Sequence, residues 1–321
     1  SYILLSAIRH CCPHKIGGII MKEKLFCIGM LSIVSLFTGC SSNSSCKMVN
    51  QMIFDLNSVT EITIAYDEEN ISFYEGSNDE LRIEEYMTAD KKSYYAEVSE
   101  KKNSIHISEG SKPFFSGDFE RYVKVYLPSE YNASLNVSTT NGEINFSDIF
   151  IQLESLYAES TSGKVIINEV NTSDIRLITT NGKIDCGNVA SDKITVRSTN
   201  GNVHIQALEG KVSYTSTGGS LTVESARGGG SYKAENSGKL KVCYEELSDN
   251  LYMFNKNDSI NLTLPENLSF EFKATTKNGS VSVPFNDEVS KKDRTTKGTI
   301  GSDPTVKIEL ESRNGNIKVE Q

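Results

Sequence analysis

Tryptophan is absent from this 321-residue chain, and cysteine is scarce, with 7 residues. Three of the cysteines, Cys46, Cys186 and Cys243, follow Cys40. They are odd in number and lack Cys-x-x-Cys spacing, which argues against a disulfide framework and a zinc site. The lack of tryptophan also removes the largest aromatic side chain on which a sugar ring could stack. No metal site, cofactor or catalytic residue is predicted.

Positive charge is also in short supply. The chain has 33 Lys and Arg against 42 Asp and Glu, a net charge of −9. The first 39 residues hold four basic and one acidic side chain, so the chain from Cys40 onward carries −12. Because an acidic surface repels a phosphate backbone, nucleic-acid binding is not expected.

Apolar runs are short, and the one near the N-terminus is a processing signal. Residues 21–39 begin with a methionine and two lysines, continue with an apolar run over 25–37, and end in small residues before Cys40. This run is shorter than the ~20 residues of a transmembrane helix, so it is typical of a secretory signal peptide. With its final cysteine it resembles a bacterial lipoprotein signal. That resemblance implies a lipid on Cys40 and the membrane as a partner.

The alternative is an ordinary signal peptide, in which Cys40 carries no lipid. Residues 40–50, which include a run of serine and asparagine, are predicted to be a flexible tether of the kind an anchor needs. Gly17-Gly18 before Met21 can be encoded by a purine-rich ribosome-binding sequence, so we interpret residues 1–20 as a translated upstream leader. Together these segments predict an anchored protein on the extracytoplasmic face of a bacterial cell envelope.

The chain is rich in one repeat, a Ser/Thr-containing segment that ends in glycine. Five clear copies have glycines spaced 21, 19, 19 and 18 residues apart, and fainter copies follow. Asparagine and glycine tolerate positive φ, and the Ser or Thr three residues before the glycine can hydrogen-bond the turn backbone. We therefore predict structural turns at Asn141, Gly142, Gly163, Asn181, Gly182, Asn200, Gly201, Gly219, Asn278, Gly279, Asn314 and Gly315.

Apolar and polar residues alternate around each glycine, which is the pattern of strands with one buried face. Around Gly182, for example, Ile175, Leu177 and Ile184 are predicted to point inward and Asp185 outward. The predicted fold is all-β. A constant period favours a right-handed parallel β-helix, a solenoid of about 19-residue coils. A chain of antiparallel hairpins at the Asn-Gly turns is the alternative.

The repeat divides the mature chain into two parts. Residues 135–321 are predicted to form the solenoid, and residues 51–134, which alternate less regularly, early coils or a capping sheet. Residues 245–259 and 286–304 are rich in Asp, Lys, Asn and Ser, so we predict loops there.

Two linked motifs carry a family resemblance. Val125-Tyr126-Leu127-Pro128, followed by Thr140-Asn141-Gly142-Glu143-Ile144 and the Thr-x-Gly repeats, resembles the bacterial DUF4097 family of adhesin-like proteins. The resemblance covers about residues 55–321. It implies an exported or membrane-anchored β-solenoid with an envelope role, and it carries over no catalytic residue.

Three functions follow from these observations. The first is a non-catalytic surface protein that acts in adhesion, binding of an unidentified ligand or envelope scaffolding. A polysaccharide lyase or hydrolase would need acids clustered on one face. Glu143, Asp185 and Glu224 are not expected to share a column, and His106 and His204 are expected to face solvent. The Ser/Thr pairs, such as 139–140, could instead form a flat ice-binding hydroxyl array, although turn capping also explains them.

Overall fold

A computed structural model describes residues 45–77, 79–114 and 119–321, and it is built almost wholly from strands. The predictions for Cys40 and for residues 1–39 lie outside the described residues. The described chain forms 21 strands joined in one sheet and two short 3-10 helices, Lys92–Tyr94 and Asn286–Glu288. The predicted all-β class is confirmed.

The strands fall into three groups along the chain. The N-terminal group is β1 (Lys47–Asp55), β2 (Glu61–Ala65), β3 (Asn70–Gly76), β4 (Glu80–Met87), β5 (Glu97–Lys101), β6 (Ser104–Ser108) and β7 (Arg121–Pro128). The central group is β8 (Ser134–Thr139), β9 (Ile144–Ser160), β10 (Val165–Thr179), β11 (Ile184–Ser198), β12 (Val203–Ser216), β13 (Leu221–Ala234), β14 (Leu240–Asn255) and β15 (Ile260–Thr263). The C-terminal group is β16 (Phe270–Thr276), β17 (Val281–Ser282), β18 (Val289–Lys292), β19 (Thr295–Ile300), β20 (Val306–Ser312) and β21 (Ile317–Glu320).

Each long central strand bends around the core as one coil with three sides. In β10, the buried residues lie in the segments 165–167, 170–172 and 175–179, which are separated by pairs of unburied residues. We call the corresponding sides of every coil face A, face B and face C. The turn 180–183 then leads from face C to face A of the next coil.

Neighbouring central coils pair in parallel with equivalent residues in register. Ile184 lies opposite Val165 of the preceding coil and Val203 of the following one. Inward aliphatic side chains therefore pile into columns at the spacing of paired strands, about 4.8 Å. Ile184 and Ile175 are fully buried, as predicted. The parallel coils confirm the solenoid, and the chained-hairpin alternative is wrong for the repeat.

The N-terminal strands extend the stack in an order that differs from the chain order. On face A the order from the end inward is β1, β4, β7, β3 and β9. On face C it is β5, β6, β2 and β8. The pairs β2–β3 and β6–β7 are thus two further coils, and the antiparallel strands β1, β4 and β5 close the end.

The C-terminal strands are interleaved in the same way. The last two strands, β20 and β21, lie inside the stack between the coil of β14–β15 and the outer pair β16–β17. The antiparallel hairpin β18–β19 covers β16. The loops predicted at 245–259 and 286–304 are therefore wrong in large part, because β14 continues through residue 255 and 289–300 form this hairpin.

Candidate functional site

The predicted turn residues come together in columns along one corner of the stack. Asparagine side chains hydrogen-bond from coil to coil: the Asn200 Nδ2 donates to Asn181 Oδ1 at 2.9 Å, and Asn278 Nδ2 donates to Asn314 Oδ1 at 2.7 Å. Asn314 in turn donates to Asn257 Oδ1 at 2.6 Å. This ladder follows the spatial order of the coils and not the order of the chain.

Close backbone approach is what requires glycine in this column. A Cβ placed on Gly182 would lie 1.8 Å from the carbonyl oxygen of Gly163, and one on Gly201 would lie 1.7 Å from that of Gly182. The predicted reason, a positive φ, is wrong for these turns, because among described residues the left-handed glycines are at other positions, such as Gly210 and Gly238. The column is structural.

The first hydroxyl of each Ser/Thr pair is buried beneath the turn. Thr179 Oγ1 donates to the carbonyl of Gly182 at 3.1 Å, and Ser216 Oγ both donates to the Gly219 carbonyl at 2.9 Å and accepts from its N–H at 2.8 Å. The predicted turn capping is present. Because half of the hydroxyls point inward, the pairs do not form a flat exposed array.

Surface acids on face A are linked through a histidine. His204 Nδ1 lies 3.0 Å from Asp185 Oδ1, and its Nε2 lies 3.8 Å from Glu224 Oε1. The hydrogen bond from Lys183 is the main cause that lowers the pKa of the Asp185 carboxyl. His204 faces solvent as expected, with 39% of its side chain exposed, and the pairing with these acids is an additional contact. Its described contacts are carboxylates and include no hydroxyl or thiol nucleophile.

Within the described ranges, no three His, Cys, Asp or Glu side chains are arranged to hold a metal ion. The same ranges contain no helix long and apolar enough to cross a membrane. Cys186 is buried among the aliphatic columns, and burial raises the pKa of its thiol.

A buried charge cluster fixes the N-terminal coils to each other. The Arg121 guanidinium, whose side chain is 0% exposed, donates to Glu69 Oε1 at 2.8 and 3.0 Å and lies 2.5 Å from Glu109 Oε1. Lys112 approaches Glu109 at 2.8 Å. Burial raises the pKa of the Glu109 carboxyl, although the hydrogen bond from Lys112 opposes the shift. Because the charges are paired and enclosed, the cluster is structural.

The outer side of face A at this end carries a different kind of surface, which we call the tyrosine face. Outward residues of β1, β4, β7 and β3 lie opposite one another in rows across the strands. The tyrosine face comprises Met48, Gln51, Ile53, Tyr74, Arg82, Glu84, Tyr86, Tyr122, Lys124 and Tyr126.

The rings of the tyrosine face stack on their neighbours and so are held in place. Tyr86 and Tyr122 are 4.7 Å apart between ring centroids with an interplanar angle of 7°, and Tyr74 and Tyr126 are 5.4 Å apart. The Arg82 guanidinium lies 3.8 Å over the Tyr126 ring. One face of each ring is therefore covered by its stacking partner, which reduces the ring surface left for stacking a sugar.

A single carboxylate organises the centre of this surface. Glu84, whose side chain is 7% exposed, accepts hydrogen bonds from the Tyr86 hydroxyl at 2.9 Å and from Arg82 Nη1 at 3.0 Å. Tyr126 and Gln51 donate to it at 3.4 Å each. Burial and the hydrogen bond that Tyr86 donates to Glu84 raise the pKa of the Tyr86 hydroxyl. The surface is thus pre-organised.

The tyrosine face also exposes large apolar side chains at the edge of the sheet. Met48 and Ile53 on β1 are 49% and 50% exposed. This surface is not recognisable from the sequence pattern, in which an outward position of a strand reads only as solvent-facing. The alternation Tyr122-Val-Lys124-Val-Tyr126 is visible in the chain, but the partner rows on β3 and β4 depend on pairing between distant segments.

The sequence matches the family described as Toastrack DUF4097 over residues 59–320. No curated protein matches it.

Several solved structures also resemble the chain. A putative adhesin from Parabacteroides merdae ATCC 43184 is 13% identical, with 85% of this chain and 96% of that chain covered and a TM-score of 0.42. A putative adhesin from Bacteroides fragilis NCTC 9343 is 13% identical, with 84% and 96% covered and a TM-score of 0.37. A putative lipid binding protein from Parabacteroides distasonis ATCC 8503 is 12% identical, with 85% and 96% covered and a TM-score of 0.31. None of these three is named as an enzyme, and likeness at this level does not extend to function.

Proposed function

Because the chain belongs to the Toastrack DUF4097 family, we propose that it is a non-catalytic binding protein of the bacterial cell surface, held at the membrane by a lipid on Cys40. Its role in this proposal is to bind envelope components through the tyrosine face and to display the solenoid above the membrane. The signal-like residues 21–39 and the tether 40–50 support the anchor.

The observation that carries the binding role is the tyrosine face. Tyrosine and arginine are over-represented where proteins bind partners, because they offer large contact area at low conformational cost. Here the rings and Arg82 are already fixed by stacking and by Glu84, so little entropy remains to be lost on binding. Exposed Met48 and Ile53 extend the contact area to the sheet edge.

The rest of the described chain favours a scaffold over an enzyme. Its coils are held together by the glycine column, the asparagine ladder and the buried hydroxyls. The outward acids Glu143, Asp185 and Glu224 lie in three different rows of face A, and the described ranges hold no group of His, Cys, Asp and Glu arranged around a metal ion. No observation favours the lyase or hydrolase alternative.

Anchoring is tested by expressing the native chain and its Cys40→Ser variant with a labelled fatty acid. We expect label on the native chain alone and release of the variant from the membrane fraction. A chain that stays membrane-bound and unlabelled with Cys40 intact would contradict the lipid anchor.

Binding is tested by adding the lipid-free Cys40→Ser chain to isolated cell envelopes and measuring the bound fraction. Further replacement of Tyr86 and Tyr122 by serine should reduce binding several-fold. The matched control is Phe150→Ser, since Phe150 is 53% exposed but lies outside the tyrosine face. Equal binding of the two variants would refute a binding role for the tyrosine face.

A further inference from the structure

The tyrosine face lies where the described chain begins. Cys46 Sγ is 3.7 Å from the carbonyl oxygen of Glu120, which directly precedes β7. Two residues later Met48 lies opposite Tyr86, in the same row as Tyr122. The chain therefore enters the fold at one corner of the tyrosine face.

This position limits how far the tyrosine face can lie from an anchor at Cys40. Cys40 precedes Cys46 by six residues, and six fully extended residues span at most about 20 Å. If Cys40 carries a lipid, Cys46 and the adjoining corner of the tyrosine face must stay within about 20 Å of the lipid. A surface confined there meets the headgroups of the membrane at a high effective concentration, on the order of millimolar for a short flexible linker.

The chemistry of the tyrosine face fits the headgroup region of a bilayer. Tyrosines with one apolar side and one polar tip are enriched at membrane–water interfaces. Met48 and Ile53 supply exposed apolar groups at the edge. Arg82 and Lys124 supply cations that anionic lipid headgroups attract, whereas Glu84 is enclosed by its hydrogen bonds and the outward acids Asp55 and Glu80 form the neighbouring row beside Ile53 and Arg82.

The side of the solenoid that continues the tyrosine face does not oppose this contact. Along face A and its adjoining turn the central coils carry nearly balanced charge, five lysines against six acids: Lys164, Lys183, Lys239, Lys241 and Lys256 against Glu143, Asp148, Asp185, Glu224, Glu235 and Asp258. The chain from Cys40 onward is otherwise strongly acidic, at −12. The acidic excess therefore lies on other sides of the stack, which an anionic bilayer would repel.

We propose that the tyrosine face docks on the headgroup layer of the bilayer that holds the Cys40 lipid, as a second membrane contact that sets the orientation of the solenoid. This inference rests on the proposed function for the lipid anchor and names the partner of the tyrosine face as lipid. A weak contact suffices, because the anchor makes docking intramolecular.

Because the chain has no tryptophan, a single introduced tryptophan can report on this contact by its fluorescence. The variants Ile53→Trp and Phe150→Trp each contain one tryptophan, at positions of nearly equal exposure, 50% and 53%, inside and outside the tyrosine face. The lipidated mature protein is reconstituted into vesicles of phosphatidylcholine and phosphatidylglycerol in equal parts, with a nitroxide-headgroup lipid as quencher. We expect several-fold stronger quenching in the Ile53→Trp variant, because that side chain would lie against the headgroups.

Two further measurements separate the possible results. Adding Tyr86→Ser and Tyr122→Ser to the Ile53→Trp chain should lower its quenching to the level of Phe150→Trp, with circular dichroism confirming that the fold is kept. Equal quenching of the two single variants in protein that is shown to carry lipid would overturn docking and leave the anchor intact. The Ile53→Trp side chain could instead be shielded from solvent in native envelopes but show no quenching in pure vesicles. That result would also overturn lipid docking, because the partner would then be a protein or a glycan.

Discussion

The glycine column predicts opposite results for two adjacent glycines in one turn. A Cβ on Gly219 would lie 1.9 Å from the carbonyl oxygen of Gly201 in the preceding coil. A Cβ on Gly218 would meet as its nearest atom the side-chain oxygen of Asn200 at 3.1 Å. Neither glycine has a left-handed φ, so backbone strain does not distinguish them. The variants Gly219→Ala and Gly218→Ala therefore isolate the effect of close packing.

The cost of Gly219→Ala follows from the space required. Cβ atoms essentially never approach other atoms within 3.0 Å, so the two coils must separate locally by about 1 Å. The inter-coil bonds from Gly218 N to Thr199 O at 2.6 Å and from Thr217 N to Ser198 O at 3.2 Å would then exceed hydrogen-bonding distance. Each unsatisfied backbone group costs about 1–3 kcal/mol, so we expect a loss of about 2–5 kcal/mol.

Urea unfolding followed by far-ultraviolet circular dichroism measures the difference. Gly219→Ala should lower the free energy of unfolding by about 2–5 kcal/mol. Gly218→Ala should be neutral or stabilise by up to about 1 kcal/mol, because alanine restricts the unfolded chain. An equal loss in both variants, or an unchanged midpoint for Gly219→Ala, would refute the argument that the carbonyl of the preceding coil dictates glycine.

Three further predictions concern charge. Ile184→Asp places an unpaired carboxylate at a fully buried position and should cost several kcal/mol, whereas Ile166→Asp, which points outward beside Asp185, should cost less than about 1 kcal/mol in the same urea assay. Arg121→Met leaves Glu69 buried without its cation and should cost about 3–5 kcal/mol, and a loss below 1 kcal/mol would contradict the buried pairing. The lowered pKa of Asp185 contributes stability above its unfolded value of about 4 that is lost as pH falls through the folded pKa. Asp185→Asn should therefore show a flatter dependence of stability on pH below 4, and identical pH profiles would contradict this assignment.

The coils could be predicted because the residues that define each coil lie close together in the sequence. Alternation with period 2 assigns each residue to the inside or outside, and a constant repeat assigns equivalent residues to one column. The assignments of Ile175, Leu177 and Ile184 to the core were confirmed on this basis. The predicted reason for the glycines is wrong, because sequence preference shows that glycine suits a turn but not which atom of the neighbouring coil excludes a Cβ.

The order of the terminal coils could not be predicted, because it depends on pairing between segments with the same pattern. Leu251 pairs with Ile308, yet the alternation over 306–310 would suit several neighbours equally well. The tyrosine face was missed for the same reason. Tyr86 and Tyr122 are 36 positions apart in the chain, and only the antiparallel pairing of β4 with β7 brings their rings together.

The terminal strands are interleaved between strands that are distant in the sequence, and this order changes how the stack can open. In a simple solenoid each repeat contacts only its neighbours in sequence, so the end coil can detach alone. Here β21 is the last strand of the chain but pairs with β15 on one side and β17 on the other, and Val319 is 3% exposed. Detaching this strand requires opening two interfaces at once, and β2–β3 are enclosed in the same way at the other end. The last strand of the chain and the early pair β2–β3, which would fray early in a sequential stack, are thereby held inside it, whereas β1 at the edge of the tyrosine face pairs with β4 alone.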